Sequence, residues 1–427
     1  MSRVLLIWLI IMTSYKVNAQ TDLYLRKILE RNKDSIFNQV LNYPQTYRLQ
    51  IIYTEINRDQ KNLPSFKDHY FNYDPDLYFN PASMVKMPLA FLALEKVNYL
   101  NIKDVHKNTT ILFDSSESFH KLLYKDTTAS SGLPTMAHFI KRAFLVSEND
   151  PYNRLYQLLG QEYLNKNLWN KGYKDVRITR QFMGLPQEQN RITNPVRFVD
   201  EQNNNLYSQP AAINKDSFDF SREIKLGKAH YRRDTLIQEP FDFTKHNNLS
   251  LKTMQQLLQS VLFPLSVPEH QRFRLTKDDY HFLYQYLSQY PSETPDPKYD
   301  ADTYYNSYVK FFFRNKSHTM PPHVRVFNKV GWSYGFLTDV SYVVDFENKI
   351  EYMLAATLYV NSDEILNDGK YDYNDVGYPF LYQLGQTIYQ YELKRKRKFV
   401  PDLKDFEIEY EKRDPSDTRP VLKDVDN

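Results

Sequence analysis

The chain has 427 residues, 55 basic and 52 acidic side chains, a formal net charge of +3, 35 tyrosines and no cysteine. So even a charge balance gives no electrostatic footprint for a nucleic-acid partner. The lack of cysteine excludes disulfides, thiol nucleophiles and thiolate metal sites, which leaves oxygen and nitrogen chemistry.

Residues 1–19 read as a signal peptide: Arg3 supplies positive charge, Val4–Met12 is a short apolar core, and small or modest residues end at Ala19. The apolar run is too short to span a bilayer. No second run approaches spanning length, and no cysteine can carry a lipid, so the expectation is an exported protein, periplasmic or secreted, without a membrane anchor. The next segment, "TDLYLRKILERNKDSIFNQVLNY", has apolar residues at helical intervals from Leu25 to Leu41 and reads as one long amphipathic helix packed on a sheet. "YRLQIIYTEINRD" reads as a strand, and "DLYFNPAS" delivers the chain to Ser83. The stretch from Asn80 to Asn98 then reads as a buried helix. From Thr135 to Leu159 the pattern is helical on both sides of a break at "SENDP", with Pro151 suited to a first helical turn.

Residues 200–248 are polar and aromatic without periodicity, and are expected to be an insertion, either an enlarged lid or an interaction surface. Two helices follow, one capped by Ser250 and one starting at Thr276 with an acidic residue three positions on. "VRVFNKVG", "FLTDVSYVVDF" and "EYMLAATLYV" are β-rich runs joined by short turns. A last helix, "YPFLYQLGQTIYQYEL", ends in the basic run Lys394–Lys398, expected to be solvated. Residues 397–427 read as a charged, loosely ordered tail. The whole is an α+β arrangement with one domain over 20–396: an antiparallel sheet packed by terminal helices around a mostly helical middle.

Within the Asn80–Asn98 helix, Ser83 and Lys86 are three residues apart and should lie one above the other on the first turn. A serine hydroxyl is a weak nucleophile and needs an adjacent base, a part that a neutral lysine can take, while backbone N–H groups at a helix start can bind an oxyanion. The same spacing recurs at Ser118–Lys121 and Ser307–Lys310, about as often as composition alone would give, and an N-cap serine beside a solvated lysine is the plain alternative. Nothing else in the chain competes. The ten histidines are scattered, His138 on an apolar helix face reads as a core residue, and no glycine-rich loop could cradle phosphate. The aromatic run Tyr308–Phe313 reads as core or groove lining.

The order of "SMVK" at Ser83, "SEN" at Ser147 and "KVG" at Lys329 resembles the serine β-lactamase and penicillin-binding protein superfamily, and within it the class A β-lactamase-like serine hydrolases. The resemblance implies the serine β-lactamase/DD-peptidase-like fold and a pocket needing no metal or organic cofactor. It makes Ser83 the acylated nucleophile and Lys86 its general base. Ser147 would pass a proton to the leaving nitrogen and link Lys86 to Lys329. Asn149 would bind the substrate's amide carbonyl, and Lys329 a substrate carboxylate. Backbone N–H groups of Ser83 and Trp332, the latter just after Gly331, would form the oxyanion hole. The implied partner is a small-molecule or peptidoglycan-derived acyl donor.

The chain departs from that pattern in three places. Val330 stands where the family has a hydroxyl that helps hold the carboxylate, with Ser333 the candidate replacement. Glu148 replaces the usual aspartate. The loop glutamate that activates the deacylating water in class A enzymes has no clear counterpart. Arg177 and Arg180 fit the bracing region of that loop, but two residues beyond Arg180 is Phe182, and the nearest carboxylate is Glu188; Asn190 and Asn194 are ambiguous. The readings are therefore an exported serine hydrolase that forms an acyl-enzyme with an amide or β-lactam and deacylates slowly, a penicillin-binding or DD-peptidase-like enzyme, and a slow or inactive ligand-sensing protein.

Overall fold

A five-stranded antiparallel sheet organises the molecule, with strands β1 (Gln50–Arg58), β2 (Pro64–Phe71), β3 (Val324–Ser333), β4 (Phe336–Asp345) and β5 (Ile350–Tyr359). Its order is β3-β4-β5-β1-β2. The structure is a computed structural model that describes residues 19–425, so the signal-peptide reading lies outside the described residues except for Ala19. Two strands from the start of the chain join three from its end in one sheet through the β1–β5 pair, Gln50 opposite Thr357 and Glu55 opposite Tyr352, and this closes the polypeptide around its helical middle. All three C-terminal strands fall where their β-branched and aromatic residues place them. β2 escaped the sequence reading because it is an edge strand of alternating burial, carrying Lys67 and Asp68, with Pro64 where a proline costs no ladder hydrogen bond.

Helices α1 (Leu23–Leu29) and α2 (Ser35–Asn42) cover one face of the sheet. The sequence suggested one long helix there. The polar run between them breaks it: Asp34 caps α2 by accepting from the Phe37 N–H at 2.8 Å, and Asn32 accepts from the Asp34 N–H and reaches Thr387 on the last helix. An eight-residue helix cannot stand alone in water, and α2 is held by burying Phe37, Val40 and Leu41, the first stacked on Phe380 at 5.0 Å.

The other face carries α3 (Lys86–Leu100), α4 (Met136–Leu145), α5 (Asn149–Leu159), α6 (Gln161–Asn170), α7 (Leu251–Leu262) and α8 (Lys277–Ser288). Helix α9 (Tyr378–Lys394) returns to the first face. Ser250 and Thr276 cap α7 and α8 as their sequences suggest, the latter in a full capping box with Asp279. Helix α3 is buried on all sides over its first ten residues, so it runs through the interior with the site at its N-terminus.

The C-terminus departs from expectation in its tail and in part of its basic run. The segment past Pro401 is packed: Leu403 and Phe406 join the core, and Phe406 lies 4.8 Å from Tyr342, centroid to centroid. The basic run is solvated at Lys394, Lys396 and Lys398, as expected, whereas Arg395 and Arg397 fold back onto the buried carboxylate of Glu392. Residues 200–248 form short strands, one of them, Asn205–Gln209, pairing with Val196–Val199 and another, Ala229–Arg232, with Ile365–Leu366. No helix among the described residues is long and apolar enough to cross a membrane.

Candidate active site

Three segments converge on one cavity. A 3-10 turn over Ala82–Val85 presents Ser83 ahead of α3, the junction between α4 and α5 presents Ser147 and Asn149, and β3 presents Lys329. Lys86 Nζ lies 2.8 Å from Ser83 Oγ, 3.0 Å from Asn149 Oδ1 and 3.4 Å from Ser147 Oγ, and it also donates to the Ser147 carbonyl. Lys329 Nζ donates to Ser147 Oγ at 2.8 Å and to the Val330 carbonyl at 2.8 Å. Two amines and two hydroxyls thus form one chain of contacts, Ser83–Lys86–Ser147–Lys329, within reach for proton transfer. The spacing of Ser83 and Lys86 gives this contact even though Ser83 sits in the 3-10 turn rather than in the helix proper.

The backbone here is strained. Ala82 (φ 45°) and Ser147 (φ 69°) occupy the left-handed region, which for residues with a Cβ costs roughly 1–3 kcal/mol each. Both adjoin or belong to the chemistry: Ala82 turns the chain so that Ser83 faces the cavity, and its N–H is held by Asn80 Oδ1 at 2.9 Å. Gly331 has a different constraint. A Cβ there would stand 2.5 Å from the Pro81 carbonyl and 3.0 Å from Met84 Cγ, so only glycine lets β3 lie against the nucleophile turn.

Burial pulls the Lys329 ammonium down to about 7; Asp339 opposes that shift and Lys310 adds to it. The amine can therefore hold or release a proton near neutrality. Behind it, Lys310 is fully enclosed, donates to the Leu287 and Val326 carbonyls and to Asn328, and is likewise lowered to about 7 by burial. Lys310 belongs to one of the two competing serine–lysine pairs, but it does not bond Ser307, whose hydroxyl is buried without a partner. Val330 is buried in the apolar layer under the terminal helices. Glu148 is a framework residue: it pairs with Arg142 at 2.6 Å and accepts from Tyr299 at 2.6 Å, tying α4 to the following loop.

The cavity, about 310 Å³, is walled by Ser83, Ser147, Asn149, Trp332 and Ser333 on one side and by Arg180, Phe182 and Met183 on the other. The expected site residues Ser83, Lys86, Ser147, Asn149, Lys329, Gly331, Trp332 and Ser333 are gathered in and around it. Glu188 is not. Its side chain is 87 % exposed and pairs with Arg191 at 3.8 Å, outside the cavity, so the sequence's candidate for a deacylating base stands in solvent. Phe182 occupies the wall instead, with its ring 5.4 Å from Lys86 Nζ and stacked on Tyr152 at 4.3 Å. Among the described residues no carboxylate lines the cavity.

Three asparagines fix this opposite wall, and sequence reasoning did not assign them that part. Asn247 Oδ1 accepts from the N–H groups of Thr179 (2.8 Å) and Arg180 (3.1 Å), Asn190 Oδ1 from Gln181 (2.7 Å), and Asn153 Oδ1 from Phe182 (2.8 Å). The backbone from 179 to 182 is thereby pinned at every residue. Asn194 binds the Asp114 carbonyl at 2.6 Å and serves the framework. Asn247 and His246 come from the segment 200–248, which reaches the site; only their position after an aromatic run could have hinted at it.

Residues 34–216 match the family model described as the Beta-lactamase enzyme family, a span that includes Ser83, Lys86, Ser147 and Asn149. No curated protein matches the chain. Among solved structures, the chain is similar to a reconstructed class A β-lactamase of the last common ancestor of Gram-negative bacteria (14 % identity, 83 % of this chain and 100 % of that one, TM-score 0.45). It is also similar to β-lactamases from Francisella tularensis (14 %, 84 % and 100 %, 0.46) and Desulfarculus baarsii (14 %, 82 % and 95 %, 0.44).

Proposed function

With residues 34–216 matching the β-lactamase enzyme family and the chain carrying a β-lactamase-like serine hydrolase fold, we propose that the protein is an exported serine hydrolase acylated on Ser83 by an amide or β-lactam donor. The continuous Ser83–Lys86–Ser147–Lys329 contact chain beside a cavity carries this reading. Lys86, as the neutral amine, takes the Ser83 proton while Oγ attacks the carbonyl carbon. Negative charge develops on the carbonyl oxygen against the backbone N–H groups of Ser83 and Trp332. The C–N bond then breaks, and Ser147 delivers a proton to the leaving nitrogen, drawing a replacement from Lys86 or Lys329. Asn149 holds Lys86 in place and offers its amide to the substrate.

Deacylation is the slow step in this reading, because among the described residues no carboxylate lines the cavity and Phe182 stands in its wall. The same observation favours a second reading, a penicillin-binding or DD-peptidase-like protein whose acyl-enzyme awaits a peptidoglycan amine, or one that senses a ligand by holding it. Export to the periplasm or beyond rests on the first 19 residues alone. Intact-mass spectrometry of the mature protein with a β-lactam panel tests the proposal. A persistent adduct on Ser83 supports it, and the absence of any adduct across the panel contradicts it.

A further inference from the structure

The resemblance assigns recognition of a substrate carboxylate to Lys329 together with a hydroxyl at position 330. Here neither is placed for it. Lys329 does not line the cavity, is fully buried, and donates to Ser147 Oγ and the Val330 carbonyl. Position 330 is a valine turned into the core. The cavity nonetheless has a cation on its wall. Arg180 lines it, half-buried, and among the described residues it makes no ion pair with a carboxylate.

Among the described residues its side-chain partner is His246, whose Nε2 and Nδ1 lie 2.7 and 3.3 Å from Arg180 Nη1. Burial and the adjacent guanidinium push the His246 imidazole down to about 3, so at neutral pH it is an uncharged acceptor that orients Arg180 without cancelling its charge. His246 is itself packed edge-on among Phe241, Phe243 and Tyr334, with centroids 5.0 to 6.0 Å away. The Arg180 backbone is fixed at both ends of the residue, its N–H by Asn247 and its carbonyl by the Tyr152 hydroxyl at 2.7 Å. A guanidinium that lines the cavity from a rigid backbone, with a neutral partner on one nitrogen, suits bidentate binding of a planar anion.

We infer that Arg180, positioned by His246 from the insertion, recognises a carboxylate on the acyl donor, in place of Lys329 and the missing hydroxyl. The inference rests on the acyl-enzyme reading and deepens it: the donor is an acid whose anionic group lies across the cavity from Ser83, and the insertion is part of its specificity. Lys329 is left to the proton chain.

The test compares acylation rates for benzylpenicillin and for its methyl ester, measured by intact mass. The acid-over-ester ratio falls by about tenfold or more in Arg180→Gln, as loss of one charged hydrogen-bonding partner requires, and is partly kept in Arg180→Lys. His246→Ala lowers the same ratio and His246→Gln, which keeps an acceptor, restores it. Lys329→Ala slows both donors alike. An unchanged ratio in Arg180→Gln, or a ratio that collapses only in Lys329→Ala, overturns the inference. If wild-type protein forms no adduct with either compound, the acyl-enzyme reading fails, and binding to Ser83→Ala protein, followed through Trp332 fluorescence, still decides the question. Preference for the acid, lost on adding Arg180→Gln, supports Arg180; equal binding of acid and ester, or none, overturns it.

Discussion

The two walls of the cavity are equipped for different halves of a reaction. On the side of α3 and β3, two lysines, two serines and an asparagine are joined by contacts of 2.8 to 3.4 Å, and the backbone accepts left-handed strain at Ala82 and Ser147 to bring them together. Across the cavity, residues 179–182 are pinned just as firmly, by Asn153, Asn190 and Asn247, but what they present is a guanidinium and apolar side chains. Rigidity is therefore common to both walls and chemistry is not. In the proposed reaction the first forms the ester on Ser83; among the described residues the second presents no carboxylate to deprotonate the water that would break it, and its imidazole, His246, is engaged with Arg180.

The largest expected effect comes from breaking the first wall. Ser83→Ala abolishes covalent adducts with β-lactams while the melting temperature changes little, because Ser83 makes no cap hydrogen bond whose loss would unfold the turn. An adduct on the alanine variant, found by intact mass and peptide mapping, would place the nucleophile elsewhere.

Next comes an attempt to give the second wall what it lacks. Phe182 is half-exposed and its ring is 5.4 Å from Lys86 Nζ, so Phe182→Glu puts a carboxylate beside the acyl group without burying it fully. The adduct lifetime should shorten by about 10², the low end of what a general base contributes. A lifetime unchanged in a folded Phe182→Glu protein would show that something other than the missing base limits deacylation.

A smaller effect concerns the buried amines behind the first wall. Lys310 has its pKa at about 7 when folded, against about 10.4 for a free lysine, so between those values the unfolded chain binds the extra proton and stability rises with pH. Lys329 contributes in the same direction. Calorimetry from pH 7 to 9 should record a rising melting temperature, and Lys310→Met should flatten the rise by a few degrees. An identical slope in the variant would mean that Lys310 stays protonated in the fold.

The smallest effect is none at all. Glu188→Gln should leave adduct lifetime unchanged, since the carboxylate is 87 % exposed and outside the cavity. Accumulation of adduct in that variant alone would identify Glu188 as the base and make the two walls a matched pair.

The first wall was legible in the sequence because its chemistry travels in short motifs. Ser83 and Lys86 share a turn, Ser147 and Asn149 flank a helix break, and Lys329 begins a strand-borne "KVG", so each local pattern fixed a side chain's neighbourhood. The sheet's C-terminal strands and the caps of α7 and α8 were readable for the same reason. The second wall was not, because it is assembled over distance: Asn153, Asn190 and Asn247 are spread over nearly a hundred residues of sequence, roughly, and act through backbone N–H groups that no motif marks. Edge strand β2 and the break between α1 and α2 were missed where polar residues interrupt an apolar pattern. The tail was misread because its charged composition hides Leu403 and Phe406, two anchors that suffice to dock it.

The central claim, that this cavity acylates readily and releases slowly, is tested most directly by a quenched-flow time course of the mature wild-type protein with excess benzylpenicillin, read by intact mass and by hydrolysed product. The account predicts near-complete conversion to a Ser83 adduct, followed by product release far slower than adduct formation. Rapid product formation with the enzyme remaining unmodified throughout, or no adduct at all, would contradict it.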